Sequence, residues 1–474
     1  VGAGDFGSTH AEDNQHHCRR KRVRGSALDT REIAEFLLGL IERSGVDEGE
    51  VYVRKSEGLE LSLRDQAVER LRNKDEGGYA LRLIKDRRMA FVHSSDLRTA
   101  SLERSVEKGA ALAGVAAQDE ANVLPEPAGG GVEVDTFDPS FDDVAFDRKL
   151  ELLKDVETMA FAYDPSISKT EYLGYGDSKT ETVIANTKGI FLHGRSTSFR
   201  LSASVVAERD GNVETGGQSS RSVLFEGLEP PSKIASRACW KAISLLGGTT
   251  PQTQTLPVIF DRDTGHALLA HLLSMVKGDN VAQGLSLLGD RIGDPVGSPV
   301  VTVVDDATLP HGVASRGFDA EGIPSQRTVV LDKGTLRSFL FDTRSARKTG
   351  FRTTANATRN SFRDLPTVGN TNLFMTEGGS TPGDIVGSTG RGLWVISLAG
   401  WWVGINPATG DFSSGAQGLW VDGGEVAYPV RNFTIASNIL DMLAAIDAVG
   451  NDLYFNDDIS SPTFRVSQMQ VGGA

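Results

Sequence analysis

The sequence predicts an α+β fold in two domains, mainly antiparallel sheets with flanking helices, the C-terminal half glycine-rich and mostly β. Three observations carry this. Helical patterns interrupt runs of strand-like segments instead of alternating with them one for one, which disfavours a parallel βαβ architecture. Neighbouring strand-like segments are separated by short turn signals, as in an antiparallel meander. The chain has 474 residues with 53 glycines, long enough for more than one core.

The elements follow in order. Residues 1–27 read as a disordered leader: they hold His10, His16, His17, Cys18 and the basic run Arg19 to Arg22, with nothing apolar to anchor them in a core. A metal or nucleic-acid tail is the alternative reading of that segment. A first helix starts at Asp29 or Thr30 as N-cap, carries Ile33, Phe36, Leu37, Leu40 and Ile41 on one side, and stops at Gly45. Short strands follow at Val51–Lys55, Leu59–Arg64, Ala67–Leu71, Tyr79–Ile84 and Met89–His93. Asp96 is expected to cap a second helix through Leu102 and Val106, and Ala117–Pro139 reads as a loop. A third helix runs over Val144–Ala162, and strands resume near Lys169.

From Phe199 to Val205 apolar and polar residues alternate, so one strand face is buried, and Asp210-Gly211-Asn212 is a hairpin turn. A helix follows over Pro231–Leu246 and ends at Gly247-Gly248. Pro251–Thr255 reads as a linker, which divides an N-terminal domain (28–250) from a C-terminal domain (251–474). The second half carries helices near Asp263–Val276 and Ile439–Ala448 among its strands.

Composition excludes some classes of function. There are 49 Lys and Arg against 63 Asp and Glu, a formal net charge of -14, which argues against broad nucleic-acid binding. No apolar run is long enough to span a membrane. Two cysteines cannot make a disulfide framework, and Cys239 lies in an apolar helical pattern. Cytoplasmic localisation is the expectation. His93, His193 and His311 read as surface or packing histidines, and Asp305-Asp306 as a strand-end turn after Val300–Val304. The cluster Leu393 to Ile396 with Trp401-Trp402-Val403 has two readings, a subunit or peptide surface and strands buried on both faces.

Several segments, in order, resemble one family. They are Ala80 to Asp86 with Ser94 to Leu97, Asn186-Thr187-Lys188-Gly189, Phe318-Asp319-Ala320-Glu321-Gly322 and Ser345 to Gly350. Gly415 to Val421, Glu425 to Val430, Thr434-Ile435-Ala436, Val449-Gly450-Asn451-Asp452 and the terminal Val471-Gly472-Gly473 complete the set. Over roughly residues 30–474 the chain is similar to the TldD/PmbA family, in its PmbA (TldE) branch. The resemblance implies two α+β domains and a heterodimer in which a TldD-like zinc peptidase subunit cleaves unfolded or precursor peptides. The family's older description as modulators of DNA gyrase finds no nucleic-acid footprint in this acidic chain.

The resemblance also places a site. TldD subunits carry His-Glu-x-x-x-His and a C-terminal Cys as zinc-binding motifs. Here the aligned segment is Gly265 to His271. His266 and His271 fill the histidine positions, Ala267 stands at the glutamate, and Ser460 falls about where the cysteine belongs. A methyl group cannot act as general base, and a neutral hydroxyl is a poor replacement for a thiolate ligand. Asp457 and Asp458 are nearby oxygen donors that nothing selects. Five residues along a regular helix also separate two side chains by about 140°, so co-ligation needs a distorted turn. The implied picture has no catalytic residue, His266 and His271 as a vestigial metal pair, and no tightly bound cofactor of its own, with zinc carried by the partner. It leaves room for weak metal at the two histidines and for a homodimer when the partner is absent. The alternatives are a self-sufficient or weakly metal-dependent peptidase and a non-enzymatic peptide-binding or regulatory protein.

Overall fold

The computed structural model describes residues 29–474, so the expected leader lies outside the described residues. Helix α1 (Thr30–Glu42) starts on a complete capping box: Asp29 accepts from the Glu32 amide and Glu32 reaches back to the Asp29 amide. Strands β1 (Glu48–Arg64), β2 (Ala67–Lys85) and β3 (Arg88–Ser94) follow. After α2 (Thr99–Ala113) and α3 (Phe146–Tyr163) come β4 (Ile167–Asn186), β5 (Phe191–Arg209), β6 (Asn212–Ser222) and α4 (Pro231–Ser244). The six strands form one antiparallel sheet in the order β3-β2-β1-β4-β5-β6.

Here the segmentation expected from sequence is corrected. The predicted pairs of short strands are continuous, because Gly58 does not break β1. A Cβ at Gly58 would lie 2.3 Å from the Asp177 carbonyl, so glycine there admits the neighbouring strand. Asp96 is not a helix cap. Its carboxylate accepts from the Arg98 amide and guanidinium, and Arg98 is the N-cap of α2, without a side-chain cap bond. The β5–β6 hairpin turns where expected, with Asp210 (φ 51°) and Gly211 (φ 77°) both left-handed.

All four helices cover one face of this sheet. Ile33, Leu37 and Ile41 of α1 pack on Val51, Leu81 and Leu83, while Leu153, Val156 and Ile234 of α3 and α4 pack on Leu173, Phe199 and Leu201. Cys239 sits in the second cluster, fully buried, and burial pushes its thiol up to about 11, so it behaves as a small hydrophobe. Gly216 of β6 lets α4 approach: a Cβ there would meet Ala238 O at 2.1 Å and Ala242 N at 2.4 Å, both backbone atoms. Gly216→Ala is therefore expected to displace α4 and lower stability by about 1–3 kcal/mol, seen as a lower urea midpoint. An unchanged midpoint would contradict this packing.

The other face is used twice. At one end Tyr52, Ala80 and Ile184 pack on Phe318 and Phe362 from the C-terminal half. Beside them Glu50 pairs with Arg82 and Arg359, and Arg82 donates to Glu321 at 2.8 Å, all with buried side chains. At the other end the same face is open and forms a cleft floor.

The C-terminal half begins with β7 (Gln254–Phe260), so the expected linker stops at Thr253. Strand β7 lies inside a six-stranded mixed sheet, parallel to Arg391–Ala399 and antiparallel to Phe464–Gly472. A five-stranded sheet includes Val303–Asp306 and Ile459–Ser460. Asp305 and Asp306 thus end a strand instead of forming a turn. Asp305 accepts from Asn356 and from the amide and hydroxyl of Thr371, which keeps a nearly fully buried carboxylate satisfied.

Helix α5 (His266–Val276) starts three residues later than predicted, because Asp261, Thr264 and Gly265 form turns first. Leu268, Leu269, Leu272, Met275 and Val276 are buried against Phe260, Phe412, Val303 and Leu373. The last predicted helix ends at Ala445, and Ile446–Val449 pairs with Phe464–Gly472 as a strand.

Candidate functional site

A cleft of about 1280 Å³ opens between the uncovered sheet face and the C-terminal half. Its floor carries Ser62, Gly174, Gly176 and Ser202, residues opposite one another across β1, β4 and β5 or two positions along. Its far wall carries His266, Trp401, Tyr454 and the segment Asn456 to Ser460. That segment is stitched to β6: Arg221 N donates to Asn456 Oδ1 at 3.0 Å, and Arg221 Nη1 lies 3.0 Å from Asp457 Oδ1. The two halves together therefore make the cleft.

His266, the first residue of α5, reaches the cleft and packs edge-on to Trp401 with ring centroids 4.9 Å apart. Burial lowers its pKa, so it is neutral near pH 7. His271 is elsewhere. It is 2% exposed, lies against Phe412, and its Nε2–H donates to the Trp401 carbonyl at 2.8 Å. The bond fixes the tautomer, since a carbonyl can only accept. Burial lowers the pKa of His271 as well. The regular helix thus separates the two rings as its geometry dictates, and α5 carries no distorted turn between them. Ala267 faces the core, fully buried among apolar side chains.

Ser460 lines the cleft, with Oγ donating to the Asp457 carbonyl at 3.2 Å. Asp457 and Asp458 line it too, but the first is paired with Arg221 and the second accepts from Asn370 at 3.2 Å. Of the predicted set, His266 and Ser460 share the cleft, whereas His271 and Ala267 do not reach it.

Beneath His266 lies a charge network that the sequence reading passed over. Arg237 pairs with Asp261 and with Asp263 at 3.1 Å, and Lys241 lies 2.7 Å from Asp263. Burial would raise the pKa of Asp263, yet Lys241 and Arg237 hold it down at about 2. The i, i+4 spacing of Arg237 and Lys241 on α4 was the available signal.

The remaining candidates are structural. His193 contacts Glu181 at 2.7 Å and Arg31 at 2.9 Å, and His93 lies at the end of β3 beside Phe91. His311 sits in a left-handed turn (φ 54°), 3.7 Å from Asp135. The tryptophan cluster divides: Leu393, Val395 and Ile396 are core, Trp401 is half-buried over His266, and Trp402 and Val403 are 60% and 69% exposed.

Comparison with known proteins follows the same outline. Residues 253–473 match the PmbA/TldA metallopeptidase C-terminal domain, residues 139–246 the central domain and residues 49–113 domain 1. The chain belongs to the TldD/PmbA family. A relative named metalloprotease PmbA, from Escherichia coli O157:H7, is 28% identical over 91% of this chain and 93% of its own length. A metalloprotease TldD homolog of Haemophilus influenzae is 25% identical over 92% of this chain and 95% of its own. In fold, a Thermotoga maritima protein described as a modulator of a DNA gyrase superposes with a TM-score of 0.84 at 26% identity, covering 93% of this chain and 99% of that one. TldE from Thermococcus kodakarensis superposes with a TM-score of 0.85 at 22% identity over 93% and 100%, which speaks for the fold alone.

Metalloprotease relatives imply a metal in this TldD/PmbA family. The donor set of this chain does not fit one. His271 lies in the core against Phe412 and does not reach the cleft that His266 and Ser460 line, and the third position is an alcohol. Among the described residues no three His, Cys, Asp or Glu side chains are grouped to hold a metal ion.

Proposed function

We propose that this chain is the non-catalytic, PmbA/TldE-type subunit of a TldD–TldE-like zinc metallopeptidase complex that cleaves unfolded or precursor peptides. The observation that carries this reading is the split site: His266 meets the cleft while His271 and Ala267 are turned into the core. A zinc peptidase needs convergent ligands, an open coordination position and a general base, and this arrangement supplies none of the three. The cleft remains, and its volume and glycine- and serine-bearing floor suit an extended peptide. In this reading the chain holds and orients substrate, and the TldD-like subunit brings the zinc and the hydrolytic chemistry.

The exposed Trp402–Val403 loop next to the cleft wall is offered as part of the contact with that subunit. The test is to assay cleavage of an unfolded peptide by the chain alone, by a TldD-like subunit alone and by the mixture, with bound zinc measured in each. Activity is expected in the mixture, with zinc stoichiometric to the TldD-like subunit. Trp402→Ser should weaken assembly by about tenfold or more. Cleavage by this chain alone that survives His266→Ala would favour a self-sufficient hydrolase. No enhancement in the mixture would favour a pure peptide-binding or regulatory protein.

A further inference from the structure

The charges of the cleft are unevenly matched. Four of its five acidic groups have cations of their own: Glu69 lies 3.1 Å from Arg64, Asp263 is 2.7 Å from Lys241, and Glu60 pairs with Lys74. Asp457 has Arg221. Three lining arginines have no such partner. Arg70, Arg200 and Arg262 form no ion pair within 4.0 Å among the described residues. Arg200 only donates to Ser202 Oγ at 3.1 Å, and Arg262 lies over the Tyr454 ring at 5.2 Å. In a chain of net charge -14 three guanidiniums without an acidic partner in one cleft stand against the overall balance.

Their placement is also ordered. Arg70 lies opposite Ser62, Ser62 opposite Gly174 and Gly174 opposite Ser202, which is two residues from Arg200. Arg70 and Arg200 thus stand on the same sheet face, three strands or about 14 Å apart. An extended chain covers that distance in about four residues. The floor between them carries Gly176, which adds no side chain, and Gly174, over which the Tyr172 ring lies. Arg262 approaches from the other half. A guanidinium presents a planar fork that matches a carboxylate bidentately.

Resting on the reading of the cleft as a peptide chamber, we infer that it selects peptides by their carboxylates, with Arg70, Arg200 and Arg262 as specificity-determining residues. The ligand class is an unfolded acidic segment, with Asp or Glu about four residues apart. A peptide's C-terminal carboxylate offers the same chemistry at one end.

Fluorescence anisotropy tests this, on the chain alone and again with the TldD-like subunit. Three short unstructured labelled peptides serve as probes: one with paired glutamates, the same peptide with an amidated C-terminus, and one with lysines in place of the glutamates. The glutamate peptide should bind about tenfold tighter than the lysine peptide, and raising the salt should shrink the difference. A glutamate preference that amidation leaves unchanged assigns recognition to the side chains. Amidation that weakens binding assigns recognition to the terminus, which the unamidated glutamate and lysine peptides share. Either result supports carboxylate selection. Arg200→Gln with Arg262→Gln should abolish the preference without changing the circular dichroism spectrum, and Arg43→Gln, outside the cleft, should keep it. Equal binding of the glutamate and lysine peptides, with amidation also leaving binding unchanged, would overturn the inference and leave the chamber intact. Binding of no peptide, by either form, would overturn the chamber itself and this inference with it.

Discussion

Replacing Glu50 by alanine is expected to destabilise the protein by about 3–5 kcal/mol. Glu50 on β1 is buried between Arg82 of β2 and Arg359 of the C-terminal half, and the Arg359 side chain is fully buried. Removing the carboxylate leaves Arg82 with Glu321, but it leaves Arg359 with no acidic partner, lying over the Tyr52 ring. An uncompensated buried guanidinium is costly, and the Nε and Nη1 atoms of Arg359 already lack hydrogen-bond partners. Urea unfolding should show the loss. The double variant Glu50→Ala/Arg359→Met should recover part of it, because the orphaned charge is then gone. A Glu50→Ala protein as stable as the parent would contradict the account.

The same carboxylate carries a pH dependence. Burial pushes its pKa up, but Arg359 and Arg82 outweigh burial and hold it below the ordinary 4.5. The folded pKa is then lower than the unfolded one, so the unfolded state binds more protons between the two values. Stability from this cluster is complete above about pH 4.5 and falls as pH drops through the lowered value. Stability that is flat across that acid range would argue against the network.

The second large effect concerns Ala267. A simple repair would restore the missing base by Ala267→Glu. The structure predicts that the repair fails. The Ala267 methyl is fully buried beside Leu268 and its apolar neighbours, so a glutamate there would enter the core and not the cleft. Burying a carboxyl without partners should cost at least about 3 kcal/mol. The expected result is a clear fall in the thermal midpoint and no peptide cleavage by the chain alone. A folded Ala267→Glu protein that cleaves peptide would show that this position can reach substrate.

How much of this the sequence could reveal depended on the kind of signal. Local chemistry was legible. The N-cap of α1, expected at Asp29 or Thr30 and found at Asp29, and the Asp210-Gly211 turn depend on residues within a few positions of one another, and both stand where predicted. The alternation from Phe199 to Val205 marks a buried face because the strand period is two. Strand continuity through Gly58 was not legible, because the reason for glycine is the Asp177 carbonyl on another strand. The site divides in the same way. The chemical substitutions at Ala267 and Ser460 were visible in the sequence, as was the angular problem of a five-residue spacing. That His271 would bond the Trp401 carbonyl, 130 residues away, was not. The cleft floor was equally hidden, since Ser62, Gly174 and Ser202 become neighbours only through strand register.

The most direct test of the central claim is the turnover number of the assembled complex with this chain carrying His266→Ala. If the chain supplies no catalytic group, kcat at saturating peptide should stay within about twofold of the unmodified complex, with any effect confined to KM. A fall in kcat on the order of 10²–10⁴, as for loss of a general acid–base group, would place His266 in the chemistry and contradict the assignment of this chain as the non-catalytic partner.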